Sequence, residues 1–297
     1  MKSQKVAITL ALGATVLWST VATAFKLALS EFTPLQLLAI ASVTSWCIFL
    51  TINLYKKNTL TQLVETFKLN ASYLIAASLI NPLIYYWVLF QAYDLLPAQI
   101  AQSLNYTWSV TFCILSALIL KQSIKPIEWI ALLLAYFAVF IISSGGTHGD
   151  LSLLGISLAL GSTLLWSSYW IIKQKIDVPA EQSLLICFSL AAPLLIVLSA
   201  IFSPFQLSQF SELKALSSAI YVGFFEMGIT FLLWLAALKK AHRPAPIALL
   251  IYLSPFISLV LISQILGEQI APTTLYGLAI IVFALILPKL GKKEDGN

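Results

Sequence analysis

The sequence predicts an all-α membrane protein of ten transmembrane helices, arranged as two inverted five-helix repeats. Three observations lead to this prediction: an apolar composition, ten apolar stretches of spanning length, and a similarity between the two halves of the chain. Of the 297 residues, 60% are hydrophobic and 10% are charged, and the mean hydropathy is +0.93. Soluble domains contain about 25% charged residues. One globular core could not bury this much apolar surface, so the bilayer is the expected solvent.

Ten stretches of the chain are long enough to cross the hydrocarbon core, which requires about 20 apolar residues as a helix. They are 6–29, 34–55, 71–93, 97–120, 127–144, 151–173, 181–203, 215–238, 245–266 and 273–290. Prolines inside three of them, Pro82, Pro193 and Pro255, predict kinks. Residues 203–218 and 56–70 are polar and amphipathic, and we expect short helices there at the membrane surface.

The basic residues predict that both chain ends lie in the cytoplasm, because short cytoplasmic loops are enriched in Lys and Arg. With that orientation, all but two of the 17 basic residues are cytoplasmic: Lys2, Lys5, Lys56, Lys57, Lys68, Lys121, Lys125, Lys173, Lys175, Lys239, Lys240, Arg243, Lys289, Lys292 and Lys293. The two on the outer side are Lys26 and Lys214. The first segment, 6–29, is too long for a signal peptide and is interpreted as a retained helix.

Composition and motifs exclude several classes of function. The net charge of +5 comes from basic residues in short gaps, without the continuous patch that nucleic-acid binding requires. The cysteines Cys47, Cys113 and Cys187 lack metal-ligand spacing, and His148 and His242 are assigned no role. Neither a nucleotide-binding loop nor a hydrolase or metalloprotease motif occurs. We therefore expect no enzyme activity, no metal and no cofactor.

The two halves of the chain contain similar segments. Residues 12–19 read LGATVLWS and residues 160–167 read LGSTLLWS, so six of eight positions are identical at an offset of 148. A second pair, KQSIKP at 121–126 and GEQIAP at 267–272, aligns at an offset of 146. This similarity predicts a duplication.

The predicted repeats are residues 1–147 and 148–297, each with five helices. Because five is odd, the second repeat enters the membrane from the opposite side. Inverted repeats of this kind are typical of carriers that work by alternating access. The alternative is a duplication that only enlarged a helix bundle.

The fourth segment is the most polar, and polar groups in membrane helices require a cavity or a partner. Its helical spacing predicts one stripe of four residues with two more on the adjoining face: Gln99, Gln102, Tyr106 and Ser109, then Asn105 and Trp108. We expect this stripe to line a water-filled cavity. The alternative is that the amides bond neighbouring helices.

Two charged residues lie within the segments. Glu226 is the sole acidic residue deep in an apolar segment, where it should be protonated or face a cation. It is interpreted as a coupling residue for protons or a site for a substrate amine, and the alternative is a neutral acid bonded to Asn81. Lys26, near the outer end of the first helix, either extends to the interface or compensates charge in the cavity.

Aromatic residues supply the remaining candidates, because their rings can stack on planar solutes or hold cations. Trp18 and Trp166 are repeat partners, each followed by a serine, Ser19 and Ser167. Ordinary bundle packing is the alternative for each ring. Three glycines are expected to let helices approach closely: Gly13, Gly161 and Gly223.

Five stretches together resemble a known family. They are ALGATVLWST (11–20), NYTWSVTFCILSALIL (105–120), LGSTLLWSSYW (160–170), GFFEMGITFLLWLAALK (223–239) and YLSPFISLVLISQILGEQIAP (252–272). They are similar to the EamA-type branch of the drug/metabolite transporter superfamily. The resemblance implies a multi-pass carrier of the bacterial cytoplasmic (inner) membrane, often an exporter of amino acids or other metabolites. NYTW also resembles the NYLWP of aromatic amino-acid exporters, with Ser109 in place of the proline.

The sequence thus predicts a secondary-active carrier that exports small metabolites such as amino acids by alternating access. Its expected substrate-binding residues are Trp18, Ser19, Tyr85, Gln99, Gln102, Asn105, Tyr106, Trp108, Trp166, Ser167, Trp170, Trp234 and Tyr252, with Glu226 and Lys26 as coupling or charge partners. The expected partners are a small-molecule substrate, the lipid bilayer and protons, for a monomer or a homodimer. The alternatives are an uptake or exchange carrier, a non-transporting structural or regulatory subunit, and an intramembrane enzyme acting on lipid.

Overall fold

The computed structural model describes residues 3–121, 126–143, 151–242, 247 and 250–290, and all regular secondary structure among them is helical. The α-helices are α1 (Gln4–Leu29), α2 (Pro34–Tyr55), α3 (Leu60–Ser78), α4 (Tyr85–Leu95), α5 (Ala98–Asn105), α6 (Trp108–Leu120), α7 (Pro126–Ser143), α8 (Leu153–Lys173), α9 (Ala180–Phe202), α10 (Leu213–Tyr221), α11 (Thr230–Lys240), α12 (Ser254–Leu261) and α13 (Pro272–Leu290). Wider π-type turns form Leu79–Ile84, Val222–Ile229 and Ile262–Leu266, and 3-10 turns form Leu207–Ser211 and Leu250–Leu253. The predictions on Lys2, Lys125, His148, Arg243, Lys292 and Lys293 lie outside the described residues.

Six helices of the described chain are long and apolar enough to cross a membrane: Gln4–Leu29, Pro34–Tyr55, Leu60–Leu95, Leu153–Lys173, Ala180–Phe202 and Leu213–Lys240. Three shorter apolar helices accompany them: Trp129–Ile142, Leu250–Leu266 and Pro272–Leu287. Large apolar side chains point outward, including Leu118 at 72% and Phe140 at 69% exposure. Such a surface is stable in hydrocarbon and prone to aggregate in water, so the chain is a multi-pass membrane protein.

Helix starts follow local capping chemistry. At α2, the Gln36 amide donates to Thr33 Oγ1 at 3.3 Å, and the Thr33 amide donates to Gln36 Oε1 at 2.9 Å. Thr59 and Gln62 repeat this reciprocal pair at α3. Each pair satisfies two backbone N–H groups that the first helical turn leaves without partners. The sequence therefore sets where these two helices begin.

The three prolines within predicted segments behave differently. Pro82 lies in a true break, because the preceding Asn81 has φ −131° and ψ 116°, outside the helical region. Helix α9 continues through Pro193. Pro255 does not kink a helix as predicted; it lies in the first turn of α12, where its missing N–H costs no hydrogen bond.

The fourth predicted segment is not one continuous helix. It divides at Tyr106 and Thr107 into α5 and α6, and the Thr107 hydroxyl donates to the Leu104 carbonyl at 2.7 Å. At 56–70 the structure agrees with the predicted short helix, because α3 begins at Leu60 and is interrupted by one non-helical residue, Asn70, before the next predicted segment. Hydropathy detects both apolar stretches and is insensitive to these backbone changes.

Helices of the N-terminal and C-terminal parts of the chain pack against each other in matching pairs. Helix α1 packs on α10, α11 and α12, and α8 packs on α4, α5 and α6. Helix α2 packs on α9, and α7 packs on α13. A central space remains between α1, α4, α5, α6, α8, α11 and α13.

Of the three glycines expected at close helix contacts, one fulfils the expectation. A Cβ on Gly223 would lie 2.4 Å from the Ala41 carbonyl oxygen in α2, and the Ser45 hydroxyl donates to the Gly223 carbonyl at 2.7 Å. Nothing lies within 4 Å of a Cβ on Gly13 or Gly161, so the prediction for these two glycines is wrong. Gly223 therefore fixes the start of the Val222–Ile229 turns against α2.

Candidate solute-binding cavity

A cavity of about 640 Å³ lies in the central space between the helices. This volume is within the range of about 300–1,000 Å³ that is typical of small-molecule sites. Eleven of the residues predicted from the sequence line it: Trp18, Tyr85, Gln102, Asn105, Tyr106, Trp108, Trp166, Trp170, Glu226, Trp234 and Tyr252. The structure thus brings together predicted residues from three segments of the first half and three of the second.

Aromatic rings form most of the cavity wall, with Trp166 at their centre. Trp166 stacks on Tyr85 with ring centroids 4.6 Å apart and on Tyr169 at 5.4 Å. Its repeat partner Trp18 contacts Phe231 and Trp234 edge-on, both at 5.6 Å. Offset and edge-on arrangements of this kind are the favoured ones for aromatic pairs. The wall is therefore a packed aromatic framework.

Glu226 places one carboxyl group in this aromatic wall. Its side chain is 9% exposed, and the Tyr86 hydroxyl donates to Oε1 at 3.1 Å. The second oxygen, Oε2, has no hydrogen-bond partner among the described residues. Among the described residues, the one ion pair within 4.0 Å joins Lys56 and Glu181, so Glu226 is not paired with a described cation. Its partner is Tyr86 and not Asn81.

Backbone irregularity positions this carboxyl group. Glu226 lies in the wide turns Val222–Ile229, whose first residues are held against α2 at Gly223. π-type turns inside helices occur frequently at functional sites, because they redirect side chains that a regular helix would place elsewhere. The opposite break, Leu79–Ile84, buries Asn81, whose Oδ1 also lacks a partner.

Amide side chains contribute the other polar groups. Gln102 is 4% exposed and lines the cavity, and its Oε1 has no partner in the part of the chain that the structure describes. Asn105 donates to the Ser162 hydroxyl at 2.9 Å and so links α5 to α8. The predicted alternatives therefore both occur on this short helix, because one amide faces the cavity and the next bonds a neighbouring helix.

Four predicted site residues lie away from the cavity wall and bond to backbone instead. Ser19 donates to the Val16 carbonyl at 2.6 Å, and Ser167 donates to the Trp108 carbonyl at 2.9 Å. Gln99 donates to the Gln269 carbonyl at 3.0 Å and accepts from the Ala271 amide at 3.0 Å. Lys26 donates to the carbonyls of Tyr93 and Leu96 at 2.7 and 3.1 Å. These side chains hold wall elements in position.

Comparison with known proteins decides the family. The model of the EamA-like transporter family matches residues 5–144 and again residues 153–288. The chain belongs to the EamA-like transporter family. This membership identifies it as a membrane transporter.

Relatives of this transporter carry transporter names as well. A Bacillus subtilis (strain 168) protein named "Uncharacterized transporter YvbV" is 25% identical over 75% of this chain and 73% of its own length. An Acidianus ambivalens protein named "Uncharacterized transporter in sor 3'region" is 27% identical over 69% of this chain and 79% of its own. A crystal structure that is 19% identical covers 98% of this chain and all of its own, with a TM-score of 0.66, which shows a shared fold.

The cavity of this transporter is closed at one end. Phe25 contacts Phe90 and Tyr93 edge-on, each with centroids 5.0 Å apart, and the three rings are at most 3% exposed. Beside them, Glu268 accepts from the Ala98 amide at 2.8 Å and thereby caps the first turn of α5. Lys26 bonds the last carbonyls of α4. Both charges have the sign that stabilises the helix end beside them.

At the other end the cavity is open. Gln174, directly after α8, is exposed, and Leu238 in α11 and Cys113 in α6 are half-buried. Gln174 and Leu238 line the cavity where α8 and α11 finish, and Cys113 lines it from the middle of α6. The transporter therefore presents its cavity on the side where α8 and α11 end.

Sequence reasoning missed part of the site. Phe231 contacts both Trp18 and Trp166, at 5.6 and 5.8 Å, and so connects the two repeat partners. Tyr86 binds the carboxyl group, and Glu268 caps α5. Tyr86 could have been found from its position one residue after a predicted site tyrosine. No sequence signal distinguishes Phe231 among the 17 phenylalanines of the chain.

Proposed function

We propose that this transporter is a secondary-active carrier that exports small metabolites, such as amino acids, across the bacterial cytoplasmic membrane by alternating access. The observation that carries the proposal is the central cavity, which is lined by aromatic and amide side chains and is closed at one end. A non-transporting subunit would be expected to form a solid bundle in which the polar stripe contacts other helices. Gln102, whose side chain lines the cavity and whose Oε1 has no partner among the described residues, supports the carrier instead.

The proposed architecture is ten transmembrane helices in two inverted repeats, residues 1–147 and 148–297. Two observations support it. The family model matches the chain twice, once in each half. In addition, α1 packs on α11 as α8 packs on α4, so the contacts of one half have counterparts in the other. Two such halves can exchange conformations and open the cavity alternately to each side.

The proposed orientation, with both chain ends in the cytoplasm, rests on the distribution of Lys and Arg. In this orientation α8 and α11 finish on the cytoplasmic side, where the cavity is open. A solute would then enter from the cytoplasm, bind among Trp18, Trp166 and Gln102, and leave when the end at Phe25 and Tyr93 opens. This is the route that the proposed export would take.

Proton coupling is proposed for Glu226, because its carboxyl group lines the cavity and lacks a described cationic partner. The titratable groups that interact with it electrostatically are phenols: Tyr85, Tyr86, Tyr93 and Tyr106. A proton on this carboxyl group would leave when a solute takes its place. Transport in one direction would then move a proton in the other.

The test is a panel of radiolabelled metabolites in proteoliposomes, with and without a pH gradient. We expect at least one solute to move and the gradient to accelerate it. Glu226→Gln should abolish the acceleration, whereas Glu65→Gln, a change at an exposed carboxylate on α3, should leave it intact. If the acceleration survives Glu226→Gln, the coupling proposal is wrong. If no solute moves under either condition, the carrier proposal is wrong.

A further inference from the structure

The charges in the cavity wall restrict what the cavity can bind. Among the described residues that line it, Glu226 is the one charged side chain, and none is Lys, Arg or His. The ammonium group of Lys26 is bound to two backbone carbonyls beyond the wall. A buried charge is stable only with an opposite charge or several hydrogen bonds. The wall therefore offers a partner to a cation and none to a carboxylate.

The hydrogen-bonding groups that have no partner among the described residues also favour a ligand with N–H donors. Glu226 Oε2 and Gln102 Oε1 are both acceptors, and both belong to side chains that line the cavity. A ligand with N–H groups can satisfy them, and leaving them unpaired would cost free energy. Trp170 Nε1 is the one unpaired donor among the buried lining groups of the described chain, and it can bond a neutral oxygen of a ligand.

The aromatic rings supply the remaining attraction. Trp166 is stacked between Tyr85 and Tyr169, so both partners cover its ring. Trp108 and Trp170 make edge-on contacts only, at interplanar angles of 65° to 89°. Ring faces that are not stacked attract cations electrostatically and bury apolar groups. The cavity thus combines one carboxylate with indole surfaces.

We propose that the cavity selects amines with an apolar or aromatic body, which are monocations at neutral pH, over the same body bearing a carboxylate. This inference rests on the proposed carrier function. It narrows the substrate class from small metabolites in general to amines, and it replaces the amino acids given there as an example with the corresponding amines that lack the carboxylate. The ammonium group binds the Glu226 carboxyl group, and the body lies against the indole rings. An amino acid would bring a carboxylate for which the described wall has no cation.

The experiment compares 2-phenylethylamine, L-phenylalanine and 3-phenylpropionate, which share one ring and differ in their charged groups. Binding to the purified full-length protein is measured by isothermal titration calorimetry. We expect the amine to bind at least tenfold more tightly than L-phenylalanine, and no binding of 3-phenylpropionate. Equal affinity for the amine and the amino acid would overturn the inference, and so would the absence of amine binding.

Variants test the assigned carboxylate. Glu226→Gln keeps the size and can still accept from Tyr86, yet it should weaken amine binding at least tenfold. Glu226→Asp should retain most of the affinity, and Glu65→Gln should not change it. A thermal unfolding midpoint for each variant separates lost binding from lost folding. Unchanged amine affinity in a folded Glu226→Gln protein would contradict the assignment.

Failure of this inference differs from failure of the carrier proposal. If the amine does not bind while another solute moves in the proteoliposome panel, the inference is wrong and the carrier function stands. If no solute moves at all, the carrier function is wrong whatever binds.

Discussion

The bond between Tyr86 and Glu226 joins residues 140 positions apart and supplies the buried carboxyl group with its one described protein donor. A hydrogen bond to a charged group contributes more than one between neutral groups, about 1.5–3 against about 0.5–1.5 kcal/mol. The size of the Tyr86 contribution therefore reports whether Glu226 is ionised in the resting protein.

We predict that Tyr86→Phe lowers the free energy of unfolding by about 1 kcal/mol, because the proposed proton coupling leaves Glu226 protonated until a solute binds, so that the lost bond joins neutral groups. The matched control is Tyr221→Phe, which removes a bond of 2.7 Å to the neutral Thr20 hydroxyl. That change should cost about 1 kcal/mol. Thermal unfolding midpoints in a mild detergent measure both. Equal losses would agree with a protonated Glu226, whereas a loss of about 2 kcal/mol or more from Tyr86→Phe alone would indicate a carboxylate in the resting protein and contradict the proposed coupling.

Individual site residues could be predicted from the sequence where a polar or aromatic group lies in an otherwise apolar segment. Glu226, Gln102 and Trp166 are examples, because the hydrocarbon environment makes such groups costly without a cavity or partner. Their partners could not be predicted. Tyr86 and Phe231 reach the site through contacts between distant segments, and one sequence carries no record of those contacts.

At the scale of elements, the Val222–Ile229 turns depend on one close approach. We predict that Gly223→Ala destabilises the protein by about 1–3 kcal/mol, since overpacking forces neighbours apart and the obstructing atom is the Ala41 carbonyl. Gly161→Ala is the matched control, with nothing within 4 Å of the new Cβ. It should be neutral or stabilise by up to about 1 kcal/mol. The comparison uses unfolding midpoints of the two purified variants, and similar losses would contradict the packing argument.

The limits of the helices were the features of these elements that the sequence predicted best. The predicted stretch 34–55 matches α2, and 6–29 differs from α1 by two residues at one end, because capping residues and apolar runs define these limits. The break at Asn81 was predicted from the following Pro82, whereas the division at Tyr106 was not predictable. The backbone dihedral angles at such a point depend on contacts with neighbouring helices, and the hydropathy of the sequence carries no information about these angles.

For the whole molecule, the open end of the cavity predicts the side from which Cys113 reacts. In a protein with Cys47→Ala and Cys187→Ala, a membrane-impermeant maleimide should label Cys113 at least tenfold faster in inside-out vesicles than in right-side-out vesicles. The reason is that Cys113 lines the cavity, which a reagent can enter from the end where α8 and α11 finish. The orientation proposed from Lys and Arg makes that end cytoplasmic.

A protein that keeps Cys187 alone serves as the control, because that thiol is 2% exposed and should react from neither side. Faster labelling of Cys113 from the outer side would contradict either the orientation or the closed outer end. Reporter fusions at the two chain ends distinguish these outcomes, since both reporters should be cytoplasmic.

The cap that Glu268 forms on α5 has an energetic consequence for any transport cycle. The carboxylate comes from the second half of the chain, and the amides of Ala98 and Gln99 belong to the first, so separating the halves at this end breaks charge-assisted bonds. Water entering the gap would take over those amides and solvate the carboxylate. Opening at this end thus replaces the hydrogen bonds of Glu268 with hydration. The difference in free energy between these two sets of interactions affects how long the closed state persists before the solute is released.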